Sequence, residues 1–407
     1  MIPVDKAVQI VLDSIDILQP VTMPILGAQG RILAEDIISS EDIPAFDFVS
    51  LSGYAVRSID VAGASSRTPV HLELDGESTV MSPWESQLAP KHAVRVAAGG
   101  PMPPGADGLL PDEHAVRESS AKVLIYKTAQ AGENIRLRGE DICRGSLVLP
   151  KGKRLNAPDI GTLSAIGLTE VKCYRVPRVS FLTAGSGFCD IDCPREGVQV
   201  RPSVRYALYS QLVEYGAEPV DLGLVGFDKE AIQSKISQGL DYDMFISSVG
   251  TSYEDFTFVK KMLEQIGMDI KFWRVAIKPA KPFIFGTICG IPIFGLSGHP
   301  FSFYIVLEEF VRPALMKMMG SRIMRRLEVS AVLTRDVRSE NGVTTFIRGT
   351  LSVNQTGFHV TPEIRGNNSI RVFSNANGLI VVPANAGYLK SGSRVVVQML
   401  GEPCIEN

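Results

Sequence analysis

Two lysines three residues apart, Lys278 and Lys281, lie just before an apolar run at 283–285, and the turn Ser297-Gly298-His299-Pro300 follows a second run at 291–296. Ammonium groups attract anions. A small-residue turn leading from a strand into a helix also aims free backbone N–H groups and the positive helix end at one point. A phosphate or a similar anion is what this pattern could hold. An ordinary strand–turn–helix with solvated lysines is the plainer reading, and these residues alone leave both open. Behind the turn, Phe303, Val306, Leu307, Phe310 and Val311 recur at helical spacing. A helix starting near Ser302 therefore buries this stripe as core, not as a cofactor box.

The elements that must position these groups run from 179 to 320, where strand and helix patterns alternate. The strands are expected at 179–182, 218–222, 244–247, 283–285 and 291–296, and the intervening helices at 204–215, 229–238 and 256–266. Such alternation implies a doubly wound parallel sheet covered on both faces, with ligands at the carboxyl ends of its strands. Three small-residue turns fall there: 183–187, 247–252 and 297–300. Gly185, Gly250 and Gly298 suit close backbone approach or positive φ, which serves a binding loop and a plain tight turn alike. His299 brings a group that titrates near neutrality, either to an anion or to a backbone partner within the turn. Asp228 precedes the helix at 229–238 and is placed to cap it. Cys189 and Cys193 flank Asp190 and Asp192, but no second Cys/His pair lies nearby, so a loop with two free thiols competes with a metal site.

Outside this region the texture changes. Val4, Val8, Val11, Leu12, Ile15 and Leu18 form one apolar stripe, predicting a first helix that Pro20 and Pro24 end. The stretch 43–56 is too rich in turn formers for a helix and too apolar for a free loop. Residues 55–140 read as short strands at 70–74, 93–97, 108–110 and 122–126. Asn156 caps a helix from Ala157 to Ile166, ended by Gly167, and 175–178 reads as a hinge. From 327 onward short strands return at 328–333, 344–348, 379–383 and 394–400.

The chain has 407 residues, 45% hydrophobic and 21% charged, which fits a soluble protein of roughly two to four domains. A net charge of −3 argues against a nucleic-acid-binding surface. No apolar run has membrane-spanning length, and the acidic residues within the first helix pattern argue against a signal peptide. Six scattered cysteines do not make a disulfide framework, so a reducing cytoplasm is expected.

Several motifs carry a resemblance. Phe46-Asp47 with Gly53-Tyr54-Ala55-Val56 is similar to "FDNSAMDGYAV", and 99–107 (GGPMPPGAD) to "TGAPVPEGAD". Gly139-Glu140-Asp141-Ile142 matches "GEDI". The stretch from Val249-Gly250 to Asp255 is similar to "SGGVSVGDYD", 277–282 (IKPAKP) to "MKPGKP", and 295–302 (GLSGHPFS) to "GLPGNPVS". In this order, over nearly the whole chain, they resemble the molybdopterin molybdenumtransferase family, which includes the carboxyl-terminal domain of gephyrin.

The resemblance implies an α/β plus β fold in an elongated multidomain chain. Four domains are expected: a discontinuous helical domain (1–26, 43–54 and 141–176), a β domain (27–42 and 55–140), a molybdopterin-binding α/β domain (177–326) and a barrel-like carboxyl-terminal β domain (327–407). It implies a homodimer whose cleft is shared between chains, with Arg348 and residues 369–374 facing the partner's cleft. It also implies a transferase that takes adenylated molybdopterin and molybdate, releases AMP with Mg²⁺, and meets a molybdopterin adenylyltransferase and recipient molybdoenzymes. The matching positions make Asp141, Asp228 and Asp255 catalytic candidates, with Asp141 and Asp228 on the metal. Gly185, Ser186, Gly250, Ser252, Lys278, Lys281, Ser297, Gly298, His299 and Pro300 are candidates for holding the pterin substrate. Departures fall on polar positions. Ser52 stands for the Asp of "MDGYA", Ala98 for the Thr of "TGAP", and Ser186 and Gly187 for the acidic pair of "TGDEL". Mg²⁺ favours hard carboxylate oxygens, so a paralogue that binds or delivers the pterin without chemistry, or a scaffold, stands beside the enzyme.

Overall fold

The computed structural model describes residues 1–185, 187–249, 253–363 and 374–405, with the backbone alone at 249 and 253–255. At its centre is a six-stranded sheet in the order Glu218–Val225, Arg178–Ala184, Met244–Val249, Ile291–Ser297, Pro282–Ile288, Asp269–Arg274. The first four are parallel neighbours. Period-2 alternation sends Phe181, Phe283, Phe285 and Phe294 into one core with the helix Ser203–Tyr215 and the helical stretch after Pro300. Leu182, Phe245, Ile284 and Ile293 enter the other, beneath the helices Lys229–Gly239 and Tyr253–Gln265. Both faces are covered, as the near-continuous apolar strands require.

Two features of this sheet differ from the sequence reading. Pro282–Ile288 runs antiparallel to Ile291–Ser297, because the two form a hairpin. Its two-residue turn, Cys289 (φ 49°) and Gly290 (φ 82°), has the positive φ at both positions that suits the twist of a tight hairpin. Asp269–Arg274 adds an edge strand that charged residues at alternate positions disguise.

The first helix covers Val4–Asp13, ending earlier than its stripe suggests. Ile15 and Leu18 still reach the same core as Val4 and Val8. Pro20–Pro24 does not merely stop a helix; it is a strand paired with Glu170–Tyr174. The helix Ala157–Ala165 opens with a reciprocal capping box between Asn156 and Asp159. Ala28, Leu33 and Ile37 pack with Leu149, Leu155, Leu163 and Ile166. The segment 27–42 thus packs against the helical module rather than the β module, while Val4, Val8 and Val11 of the first helix pack on the α/β core.

The middle sheet runs in the order Gly108–Pro111, Gly53–Val56, His92–Val96, Val70–Ser78, Lys122–Ile125, Ala115–Arg117. Gly53–Val56, in the stretch that sequence left between helix and loop, lies within it. At the far end Thr344–Asn354, Gly357–Pro362, Glu328–Leu333, Arg394–Met399 and Gly378–Val382 close into a five-strand barrel, since the last pairs back onto the first. Ile277–Lys278 adds in parallel to Thr344 and Thr345, tying the barrel to the α/β module. The helical stretch behind the Ser297–Pro300 turn is Pro300–Val306, a π-helical turn Leu307–Val311, then Arg312–Met318. Among the described residues no helix is long and apolar enough to cross a membrane.

Candidate functional site

Sheet register sets the site. Val225 pairs with Ala184, Ala184 with Val249, and Val249 with Ser297. The carboxyl ends of four parallel strands are therefore level. The reversed strand pairs Ile284 with Gly295, so its first residue, Pro282, comes level with Ser297. The hairpin thereby brings Lys281 to the same edge as the Ser297–Pro300 turn. Lys278 is fixed by its pairing with Thr345 of the barrel. Between these lysines Ala280 adopts φ 85°, where the resembling motif has glycine and a Cβ is disfavoured.

A cleft of about 200 Å³ opens at this edge, on the face covered by the helix Ser203–Tyr215. Thr183, Ser248, Arg201, Gly298 and Pro300 are among its walls. The Thr183 side chain is buried, and its Oγ1 has no hydrogen-bond partner among the described residues. The buried His299 Nδ1 has none either. The Ser297 Oγ accepts the His299 N–H at 3.4 Å, so the turn satisfies the histidine backbone but not its ring. A buried polar atom without a partner costs about 1–3 kcal/mol, and a bound polar ligand would offset that cost. Arg201 donates to the carbonyls of Asp190 (2.8 Å) and Cys193 (3.4 Å). Its guanidinium meets no carboxylate among the described residues.

Thr183 and Arg201 are not among the candidate residues that the sequence singles out. Their signal was position, since each lies where a strand ends or a helix opens at the carboxyl edge.

Lys281 donates to Glu340 at 2.9 Å, and Lys278 lies 3.8 Å from the same carboxylate. The hydrogen bond from Lys281 holds the Glu340 carboxyl below its ordinary value. Both lysines are thus clamped by an exposed acid of the barrel module, a partner that a competing anion could displace. Gly185 sits at the same edge, and a Cβ there would lie 2.3 Å from the Phe188 ring. Close approach, not positive φ, explains this glycine.

The carboxylates are dispersed. Asp228 follows the strand Glu218–Val225 and accepts the Ala231 N–H at 2.7 Å, capping the helix Lys229–Gly239. Asp141 pairs with Arg136 at 3.0 Å, and its N–H bonds the carbonyl of Ile43, whose side chain packs against the helical module. Asp190 is bound by Tyr206 and Arg205. The Tyr206 hydroxyl and the Ile191 N–H lower its carboxyl to about 2. Among the described residues no three His, Cys, Asp or Glu side chains gather to hold a metal. Cys189 is buried and Cys193 exposed, both as free thiols. The hydrogen bond to Asp192 pushes the Cys193 thiol up.

Ser186, Gly250, Ser252 and residues 369–373 lie outside the described residues, as does the side chain of Asp255. Arg348 lies in the barrel strand Thr344–Asn354, stacked over Phe301 at 4.2 Å. Ser52 accepts the Ala98 N–H at 3.0 Å, so two positions that depart from the resembling motifs brace each other.

Fold and site together define a multidomain α/β protein with a cleft at the carboxyl edge of its central sheet, a curled β sheet in its middle region and a closed β barrel toward its carboxyl end. Three family descriptions match in order: "MoeA N-terminal region (domain I and II)" over residues 2–167, "Probable molybdopterin binding domain" over 198–317 and "MoeA C-terminal region (domain IV)" over 330–400. The chain is 30% identical over 376 residues to the molybdopterin molybdenumtransferase of Haemophilus influenzae, covering 91% of each. It is also 30% identical over 406 residues to that of Bacillus subtilis, covering 98% of this chain and 94% of the other. A solved molybdopterin biosynthesis MoeA protein from Pyrococcus horikoshii superposes with TM-score 0.87 at 29% identity, covering 99% of this chain and all of that one. The chain belongs to the molybdopterin molybdenumtransferase family.

Proposed function

We propose that this chain is a transferase of molybdenum cofactor biosynthesis that binds adenylated molybdopterin at the carboxyl-edge cleft, inserts molybdate into its dithiolene and releases AMP. The observation that carries this reading is the level strand edge, where Lys281 and the Ser297–Pro300 turn share a register near Thr183 Oγ1, which has no partner among the described residues. Cleaving a phosphoanhydride calls chiefly for positioning and charge neutralisation. Lys278, Lys281 and Arg201 supply positive charge, while Thr183 and His299 supply fixed polar contacts. Ser186, Gly250 and Ser252 follow in sequence the strands Arg178–Ala184 and Met244–Val249, and Asp255 falls within the helix Tyr253–Gln265. Mg²⁺ would need carboxylates from more than one place. Asp141, exposed on another module, fits a homodimer in which one chain completes its partner's cleft. A molybdopterin adenylyltransferase would supply the substrate, and recipient molybdoenzymes would take the product.

A second reading, a carrier that binds the pterin without cleaving it, is favoured by one observation. The carboxylates of Asp228 and Asp190 are already committed to a helix cap and to Arg205 with Tyr206. AMP release from adenylated molybdopterin, measured with and without molybdate and Mg²⁺ beside a binding titration, separates the two. Molybdate-dependent release supports the enzyme, binding without release supports the carrier, and no binding removes both.

A further inference from the structure

A second cleft, of about 520 Å³, lies between the Pro150–Arg154 turn of the helical module and the loop that follows the helix Arg312–Met318. Lys153, Arg154, Arg312, Arg322 and Arg326 line it, with Glu214 the one acidic lining residue. The charges are not balanced. Lys153 pairs with buried Asp159, and Arg326 bridges Glu308 and Glu214 at 3.0 and 2.7 Å. Arg154 donates only to the Gly30 carbonyl (3.1 Å) and the Met316 sulfur (3.7 Å). Arg312 donates to the Met324 carbonyl at 2.7 Å. Arg322 makes no hydrogen bond or ion pair to a described residue. Three guanidiniums therefore share one cleft without a carboxylate partner among the described residues.

Lost hydration pushes the Arg154 guanidinium down. It does the same to Arg312, with repulsion from Arg326 and, more weakly, Arg154 added and the attraction of Glu308 opposing. Such mutual crowding is relieved by a bound multiply charged anion, and guanidinium forks match phosphate oxygens in geometry. Met316 and Ile323 give the cleft an apolar wall as well, and its volume exceeds what a single phosphate needs.

We propose that this cleft is a binding site for a small molecule bearing a phosphate or pyrophosphate group, separate from the carboxyl-edge cleft. The helix Ser203–Tyr215 measures the separation. Its first residue lines the carboxyl-edge cleft and its last lines this one, about 18 Å apart at 1.5 Å per residue. The inference does not depend on the chemistry proposed above.

The test is equilibrium dialysis of the full chain with inorganic pyrophosphate and, in a separate arm, AMP. A Lys278→Ala/Lys281→Ala chain, impaired at the other cleft, should still bind one of these probes. In that background Arg322→Gln should weaken binding at least about tenfold, and Arg154→Gln/Arg322→Gln should abolish it. Arg322 has no hydrogen bond or ion pair to a described residue to lose, so its single substitution leaves the fold intact. The tighter probe identifies whether the phosphate group alone or an organic phosphate is held. Absence of binding in the Lys278→Ala/Lys281→Ala chain, or binding indifferent to Arg322→Gln, overturns the proposal.

Discussion

Glu309 offers a quantitative test of the packing beneath the site. It lies in the π-helical turn Leu307–Val311, is 6% exposed, and faces the barrel module. Burial raises its carboxyl from 4.5 to about 7, against the opposing hydrogen bond with Gln398. A raised carboxyl means that the folded chain holds the proton more tightly than the unfolded one. Its effect is absent below about pH 4.5, and stability then falls as pH rises through about 7. At 1.36 kcal/mol per pH unit the gap corresponds to about 3 kcal/mol of destabilisation above pH 7. Glu309→Gln removes the ionisation and leaves an amide able to bond Gln398. Urea midpoints near pH 5 and near pH 8 should show the two chains similar at the lower pH. At the higher pH the variant should be more stable by up to about 3 kcal/mol. A wild-type-like pH slope in the variant, or equal loss at both pH values, would refute the reasoning.

Other outcomes follow from single contacts. Glu340→Gln unclamps Lys278 and Lys281, so anion affinity at the carboxyl edge should rise about two- to fivefold, the range of an exposed ion pair, as titration with AMP would show. Thr183→Val removes a buried hydroxyl that has no partner in the described structure. Thermal melts should show no loss of stability beyond about 1 kcal/mol, while affinity for adenylated molybdopterin drops. Asn156→Ala breaks the capping box of Ala157–Ala165 and should cost about 1 kcal/mol in denaturant unfolding, with ligand binding unchanged.

Much of this architecture is written locally. Continuous apolar runs marked the buried strands, Asn156 and Asp228 marked the helix starts, and small-residue turns marked the carboxyl edge. What escaped depends on contacts distant in sequence. Asp269–Arg274 carries charges because it lies at a sheet edge. Ile15 and Leu18 stay in helical phase because they pack on the same core after the helix has ended. Nothing near Lys281 announces Glu340, which the pairing of Ile277–Lys278 with the barrel brings to it. The antiparallel hairpin that places Lys281 level with Ser297 is a matter of turn geometry, legible only in part from Gly290. Asp141 and Asp228 looked alike as carboxylates, but the structure puts Asp228 at a helix cap and Asp141 in an ion pair with Arg136.

The most direct test of the central claim compares the wild-type chain with Lys281→Ala in AMP release from adenylated molybdopterin, with molybdate present. The wild type should release AMP in a molybdate-dependent way, with at least about a tenfold loss in the variant, the scale of one charge-assisted contact. Equal release by both chains would contradict that claim.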